Sequence, residues 1–421
     1  MSMLWYNFSM ANKNKKTKQV YRIGIDARFF GLENKGLGRY TKELVEQLDK
    51  INQKTIISKK QSAFIEYYIF LRNDNFNDYQ PQAKNIHKVK ADYRWYSWGE
   101  QIFFPRLLKK YKLDLMHFTH FNAPIFYRGK FIVTIHDLIL FHYPTIKNTT
   151  LNKLCYFFKL SVYHLVIRVV AKKAILIIAI SRFTKKDIVD SLKVIKGKIK
   201  VVYEGAEFTF SQKYIQKNAE NQQQIKDTIF KKYGILNKYL LYVGNAYPHK
   251  NLERLVLAFE TLNIKDKDGL QLVLVGKKDY FYERLEEFIS NNNIKNIIIT
   301  DYISDYELAQ LYRRAELFVF PSLYEGFGLP PLEALVRGVP VVSSSKSSLL
   351  EILDNKVKYF DPESVQSIKK GIEDALLNRV IELTSEEITK LKNKYNWEKM
   401  TRETVEIYKT TSDSLYKQNN N

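Results

Sequence analysis

Two glutamates eight positions apart, Glu325 and Glu333, stand in the run Phe320-Pro-Ser-Leu-Tyr-Glu325-Gly-Phe-Gly-Leu-Pro-Pro-Leu-Glu333-Ala-Leu-Val-Arg-Gly338-Val-Pro340. Facing one crevice, such a pair suits the hydroxyl-rich parts of a single ligand. Gly326 and Gly328 let the backbone come close to that ligand. Pro330-Pro331 opens a helix, where the missing N–H costs nothing, and Glu333 falls in its first turn. The unpaired N–H groups and helix dipole there favour an anion. Gly338 supplies the C-terminal stop and Pro340 prevents continuation. An isolated pair of glutamates would more often be a helix-end charge and a solvated loop charge; the Gly-Phe-Gly-Leu-Pro frame argues for a site.

Four further segments carry chemistry. Tyr242-Val-Gly244-Asn-Ala-Tyr-Pro-His249-Lys250-Asn251-Leu252 reads as a strand, a turn and a helix start, with Lys250 at the turn. Gly36-Leu-Gly38-Arg39-Tyr40 is a glycine-rich turn after the first strand. It lacks a full dinucleotide fingerprint, and no acidic residue closes a second strand, so hydride transfer is disfavoured. Thr134-Ile-His136-Asp137-Leu138 ends a buried strand. A lone histidine there is more often a satisfied core residue, so His136 needs support from its neighbours. Ser181-Arg182-Phe-Thr-Lys185-Lys-Asp187 has Ser181 as a helix N-cap, with the cations of Arg182 and Lys185 beside it. No metal site is expected. The one Asp-x-Asp, Asp266 and Asp268, lies in a polar lysine-flanked loop, and the seven histidines show no ligand spacing.

These segments sit among short apolar runs that alternate with helical patterns. Strands are expected at residues 20–26, 65–71, 113–118, 131–136, 175–180 and 199–203. A second series follows at 239–243, 270–275, 296–300, 317–321, 339–343 and 357–360, with helices at 251–262, 280–291 and 305–314 between them. Runs of this kind argue for parallel sheets covered on both faces. Between 207 and 238 the periodicity fades into Gln, Asn and Lys, which marks a linker. The expected fold is α/β, two doubly wound halves, with ligands at the strand carboxyl ends between them.

Composition narrows the function. The 421 residues are 45% hydrophobic and 27% charged, which excludes a wholly disordered chain. A single cysteine, Cys155, excludes a disulfide framework and fits a reducing, cytoplasmic compartment. The net charge of +22 is spread through Lys-, Asn-, Ile- and Tyr-rich sequence, not clustered as in a nucleic-acid binder. A biased gene composition accounts for part of it, and the remainder would draw the chain to anionic membranes or substrates. No run reaches the ~18 apolar residues of a membrane span. Residues 1–19 read as a disordered basic arm, not a secretory signal, with Met10 an alternative start. The 151–173 stretch is apolar and basic together, the pattern of a helix on an anionic membrane surface or of a core helix with snorkelling lysines.

The frame from Glu325 to Glu333, with Gly338-Val-Pro-Val-Val342, resembles the retaining GT-B glycosyltransferases of the group 1 (family 4) type, and the resemblance runs over roughly residues 21–410. It implies two Rossmann-like domains facing an interdomain cleft: an acceptor domain at 20–206, the 207–238 linker, a donor-nucleotide domain at 239–395, and a terminal helix within 396–421 that crosses back. By resemblance Glu333 holds ribose hydroxyls, Glu325 contacts the transferred sugar, and the amides of Gly326, Phe327, Gly328 and Leu329 line the sugar and diphosphate. Lys250 in the Gly244 loop neutralises the diphosphate, the loop at Gly36 and Gly38 closes over it, and His136 projects beside the sugar. Asp137, Arg182, His249, Tyr302 and Ile303 are further candidates, the last two for the base. Family members often carry an arginine in the lysine loop. Here Asn245 and His249 stand instead, so a protonated His249 is the expected substitute cation.

The implied activity is retaining transfer of a hexosyl group, by analogy mannosyl, from a nucleoside diphosphate sugar to a glycan or lipid-linked acceptor of a surface polysaccharide. Neither metal nor other cofactor is implied, nor nucleic acid as partner. The chain would be cytoplasmic and peripheral on the inner membrane face. The rivals are a basic RNA- or membrane-binding protein without catalysis, and a sugar phosphorylase on the same fold.

Overall fold

The computed structural model describes residues 19–31, 35–56, 63–144, 153–206, 229–264, 269–378 and 383–420. The arm before residue 19, the start at Met10, most of the linker, and Asp266 and Asp268 lie outside the described residues.

The first parallel sheet has seven strands: β1 (Gln19–Asp26), β2 (Ala63–Leu71), β3 (Ile86–Lys90), β4 (Leu115–Phe118), β5 (Phe131–Ile135), β6 (Leu176–Ala179) and β7 (Ile199–Val201), in the order β3-β2-β1-β4-β5-β6-β7. The second has β8 (Tyr239–Val243), β9 (Gln271–Val275), β10 (Ile297–Thr300), β11 (Leu317–Phe320), β12 (Val341–Ser344) and β13 (Lys358–Phe360), in the order β10-β9-β8-β11-β12-β13. Both orders reverse beside their first strand, the doubly wound pattern that leaves a crevice at the reversal. Phe131–Ile135, Gln271–Val275 and Leu317–Phe320 are buried along their whole length. Strands covered on both faces are apolar at nearly every position, Thr134 and Gln271 being the polar exceptions, which is why they read as continuous runs.

All twelve expected strands are present within a few residues. The sequence reading missed β3, whose residues Ile-His-Lys-Val-Lys are buried only at Ile86 and Val89. It is an edge strand, with β2 its one partner. The Lys35–Ile56 helix includes Gly36 and Gly38 in its first turn, so these glycines are helical residues and not the turn ahead of the helix.

By contacts the chain forms two compact units, the chain up to Ile132 with that from Thr404 onward, and Val133–Glu403. In the first, the late part of the Trp397–Asn420 helix is held by polar contacts. His117 Nδ1 lies 2.6 Å from the Tyr408 hydroxyl, and the Tyr21 hydroxyl donates to Asp413 at 2.6 Å. Apart from Gly36 and Gly38, every candidate site residue belongs to the second unit.

Candidate active site

In the second sheet the order reverses between β8 and β11, and the loops after these two strands bring Lys250 and Glu325 together. After β8 the chain closes a short 3-10 turn, Pro248–Lys250, and Asn251 at φ 63° starts the Leu252–Glu260 helix. The Asn251 amide donates to the carbonyls of Pro321 at 3.1 Å and Pro362 at 2.7 Å, and the Leu323 N–H donates to the His249 carbonyl at 2.8 Å. These bonds tie the lysine turn to the glutamate loop. Lys250 Nζ meets Glu325 Oε1 at 2.5 Å, with side chains 13% and 10% exposed.

The glutamate loop is fixed through its carbonyls. Ser181 Oγ donates to the Gly326 carbonyl at 2.8 Å, and Thr184 Oγ1 lies 3.2 Å from the same oxygen. Ser348 Oγ reaches the carbonyls of Glu325 at 2.9 Å and Phe327 at 3.0 Å, and the Glu325 N–H donates to Ser347 Oγ at 2.9 Å. The N–H groups of Gly326, Phe327 and Gly328 meet no acceptor among the described residues. Gly328 caps the Leu329–Val336 helix at φ 97°, a left-handed conformation that glycine adopts without strain. The result is a row of backbone donors at a helix N-terminus, suited to an anion. Glu333 is buried as the fifth residue of that helix, one turn deeper than expected.

The His136 segment packs on this loop. A Cβ added to Gly326 would stand 2.2 Å from the His136 carbonyl, so only glycine permits the approach. His136 Nδ1 lies 2.9 Å from Glu204 Oε1, both side chains largely buried. The carboxylate can only accept, so it holds the proton on Nδ1 and fixes the ring. Asp137 Oδ1 accepts from the Ile139 N–H at 2.9 Å. Burial pushes the Asp137 carboxyl up, against the Ile139 bond and the charges of His136 and Lys250, while Glu325 adds to the rise.

Other candidates stand apart from this cluster or take different parts. His249 is buried, and burial first and Lys250 second pull its pKa down to about 3. It is neutral at physiological pH, which overturns its expected part as a second cation. Ser181 caps the Arg182–Leu192 helix as expected, accepting from the Thr184 N–H. Lys185 Nζ donates to the Ile199 carbonyl at 2.6 Å, a structural bond. The Arg182 side chain is exposed, and the Arg182 backbone N–H donates to Glu351. Tyr302 is 74% exposed and Ile303 buried, both just after β10. Gly244 ends β8, its N–H bonded to the Val275 carbonyl at 2.9 Å.

Sequence reading missed Glu204, Ser347 and Ser348. Glu204 alone left a signal, an acid beside Gly205 near the carboxyl end of β7. Among the described residues, no three His, Cys, Asp or Glu side chains gather as a metal-holding group.

Residues 34–209 match the family described as Glycosyltransferase Family 4, and residues 225–394 the one described as Glycosyl transferases group 1. Over 398 residues the chain is 27% identical to the O-antigen chain mannosyltransferase B of Escherichia coli, covering 89% of this chain and 96% of that protein. Over 282 residues it is 26% identical to an O-antigen chain mannosyltransferase of Salmonella typhimurium, covering 66% and 70%. Among solved structures, sucrose-phosphate synthase from Thermosynechococcus elongatus superposes with a TM-score of 0.69 at 18% identity, covering 94% of this chain and 100% of that one. The Anabaena protein HepE in complex with UDP-glucose gives 0.63 at 14% identity, covering 92% and 99%. At these identities the structural likeness speaks for the fold, two Rossmann-like halves of GT-B type.

Proposed function

Because the chain belongs to the group 1 glycosyltransferases, we propose that it moves a hexosyl group, mannosyl by the relatives' names, from a nucleoside diphosphate sugar to a glycan or lipid-linked acceptor in surface polysaccharide synthesis. One observation carries the reading. Two motifs far apart in sequence, His136-Asp137 and Glu325-Gly326, are in contact, and Ser181 and Thr184 clamp them there.

In this reading Glu333 receives the ribose hydroxyls. The free amides of Gly326, Phe327 and Gly328, with Leu329, take the diphosphate and sugar. Lys250 neutralises the leaving diphosphate while its ion pair holds Glu325 beside the transferred sugar. His136, oriented by Glu204, faces the sugar, and Gly244 shapes the lysine loop. Gly36 and Gly38 belong to the donor site by resemblance alone. The acceptor oxygen attacks the anomeric carbon on the face the diphosphate leaves, so configuration is retained. No metal is required, because Lys250 and the backbone donors supply the charge stabilisation. The test is a thermal-shift screen with UDP, GDP and dTDP sugars, followed by assay of released nucleoside diphosphate. No shift with any donor and no release would overturn the reading.

Residence on the inner face of an anionic membrane is part of the proposal. The Lys153–Lys173 helix buries Tyr163, Ile167 and Val170. It turns Phe158, Leu165 and Phe157 outward, at 72, 56 and 54% exposure, among Lys159, Arg168 and Lys172, and its sequence contains no acid. Apolar anchors ringed by cations suit a lipid interface, with about 1 kcal/mol per basic residue near the surface. Among the described residues no helix is long and apolar enough to cross a bilayer. Anionic vesicles should co-sediment the protein at low salt and release it as salt rises, with Lys159/Arg168/Lys172→Gln binding less. Equal recovery with neutral vesicles would remove the membrane from the proposal.

A further inference from the structure

A cavity of about 490 Å³ opens beside Tyr324, the residue preceding Glu325. That volume lies within the roughly 300–1,000 Å³ of small-molecule sites. Its walls are unlike those of the anion site. Three rings surround that of Tyr324: Phe183 at 5.3 Å, His142 at 5.4 Å and Tyr143 at 6.0 Å between centroids. Two carboxylates, Asp187 and Asp190, join them.

The floor is rigid. Asp187 takes His142 Nε2 at 2.8 and 2.9 Å, the Ser191 hydroxyl at 2.8 Å and the Tyr324 hydroxyl. The Tyr324 oxygen in turn accepts from the Leu138 N–H at 3.3 Å, one residue beyond Asp137. At the rim, Asp190 is 56% exposed and pairs with Lys186 at 2.8 Å, a contact open to exchange with a ligand.

We propose that this cavity binds a neutral sugar of the acceptor glycan, in a subsite one residue along the chain from Glu325. Ring faces suit the C–H faces of a pyranose, and the exposed Asp190 carboxylate at the rim suits its hydroxyls. Asp187 and Asp190 outnumber the one lysine of the lining, Lys186, which is itself paired with Asp190, so the walls favour a neutral ligand over a diphosphate. This inference rests on the glycosyltransferase reading, because the class of ligand follows from it.

The probe is a panel of short oligosaccharides of mannose, galactose, glucose and N-acetylglucosamine, measured by saturation-transfer NMR on the full chain. The wild type should bind at least one member. Tyr143→Ala/Phe183→Ala and, separately, Asp190→Asn should bind it at least tenfold more weakly, with melting temperature and sugar-nucleotide thermal shift unchanged. Asp187 is left intact because it holds the floor. No binding by any member, or equal binding by wild type and both variants, overturns the subsite. If oligosaccharide binding is lost as expected while no sugar nucleotide shifts even the wild type, the subsite stands and the transferase reading falls.

Discussion

Each unit carries a buried ion pair near the carboxyl end of its sheet, and the two differ in what they leave unspent. In the first, Arg28 gives Nε and Nη2 to Asp26 at 2.8 and 2.7 Å, Nη2 to Glu100 at 2.8 Å, and Nη1 to the Tyr93 carbonyl at 3.2 Å. The Asn122 amide fills both oxygens of Glu100, and Phe104 lies under the guanidinium at 4.2 Å. Arg28 is wholly buried. In the second, Lys250 and Glu325 share one contact, keep some exposure, and lie beside amides that have no acceptor among the described residues. Charge alone therefore does not mark a site. Spare hydrogen-bonding capacity beside the charge does.

Removing Arg28 should give the largest effect on stability. Arg28→Ala strands two buried carboxylates, and denaturant unfolding should show a loss of about 3–5 kcal/mol. A loss below about 1 kcal/mol would erase the contrast. Lys250→Ala should act on turnover, lowering it by about 10²–10³-fold, the cost of one well-placed charge stabiliser. Lys238→Ala, on an exposed lysine, should leave the rate unchanged; equal small effects would make Lys250 a structural residue like Arg28. Glu333→Ala should weaken nucleoside diphosphate binding by about 1.5–3 kcal/mol, read by calorimetry on a folded variant. Unchanged affinity would take Glu333 out of the site.

The smallest effect concerns His249, neutral beside Lys250. Its folded pKa of about 3 lies below the ordinary 6.5. The unfolded chain therefore takes up the proton first, and stability falls as pH drops from 6.5 towards 3. At pH 5.5 the loss from this group is on the order of 1 kcal/mol relative to pH 8. His249→Asn should remove that part of the acid sensitivity. An unaltered pH profile would mean that His249 takes up its proton equally well in the folded and unfolded chain, and would return it to the lysine loop as a cation at mildly acidic pH.

What the sequence disclosed depended on range. β5, β9 and β11 were plain because burial on both faces demands apolar residues at successive positions. β3 was hidden because an edge strand needs only Ile86 and Val89 inside. Gly326 and Gly328 stood out in the sequence as places for a ligand to approach, and the structure gives them a further reason, the His136 carbonyl against Gly326 and a left-handed turn at Gly328. Glu204 was not legible, because its partner His136 lies 68 positions away and no local pattern records the pairing. The neutral state of His249 was illegible for a related reason. Sequence showed a histidine beside a lysine, but not the walls that exclude water from its ring.

The hydroxyl clamp on Gly326 also has a consequence in time. Ser181 reaches the Gly326 carbonyl across 145 positions of chain, and Thr184 across 142. Contacts this distant in sequence form late, after the closure of long loops, while the helices and neighbouring strands they join assemble from nearer contacts. During refolding, helical signal should therefore return before nucleotide affinity does. A chain caught between those events would look folded by its secondary structure and yet hold no ligand, with the glutamate loop and the histidine segment still strangers.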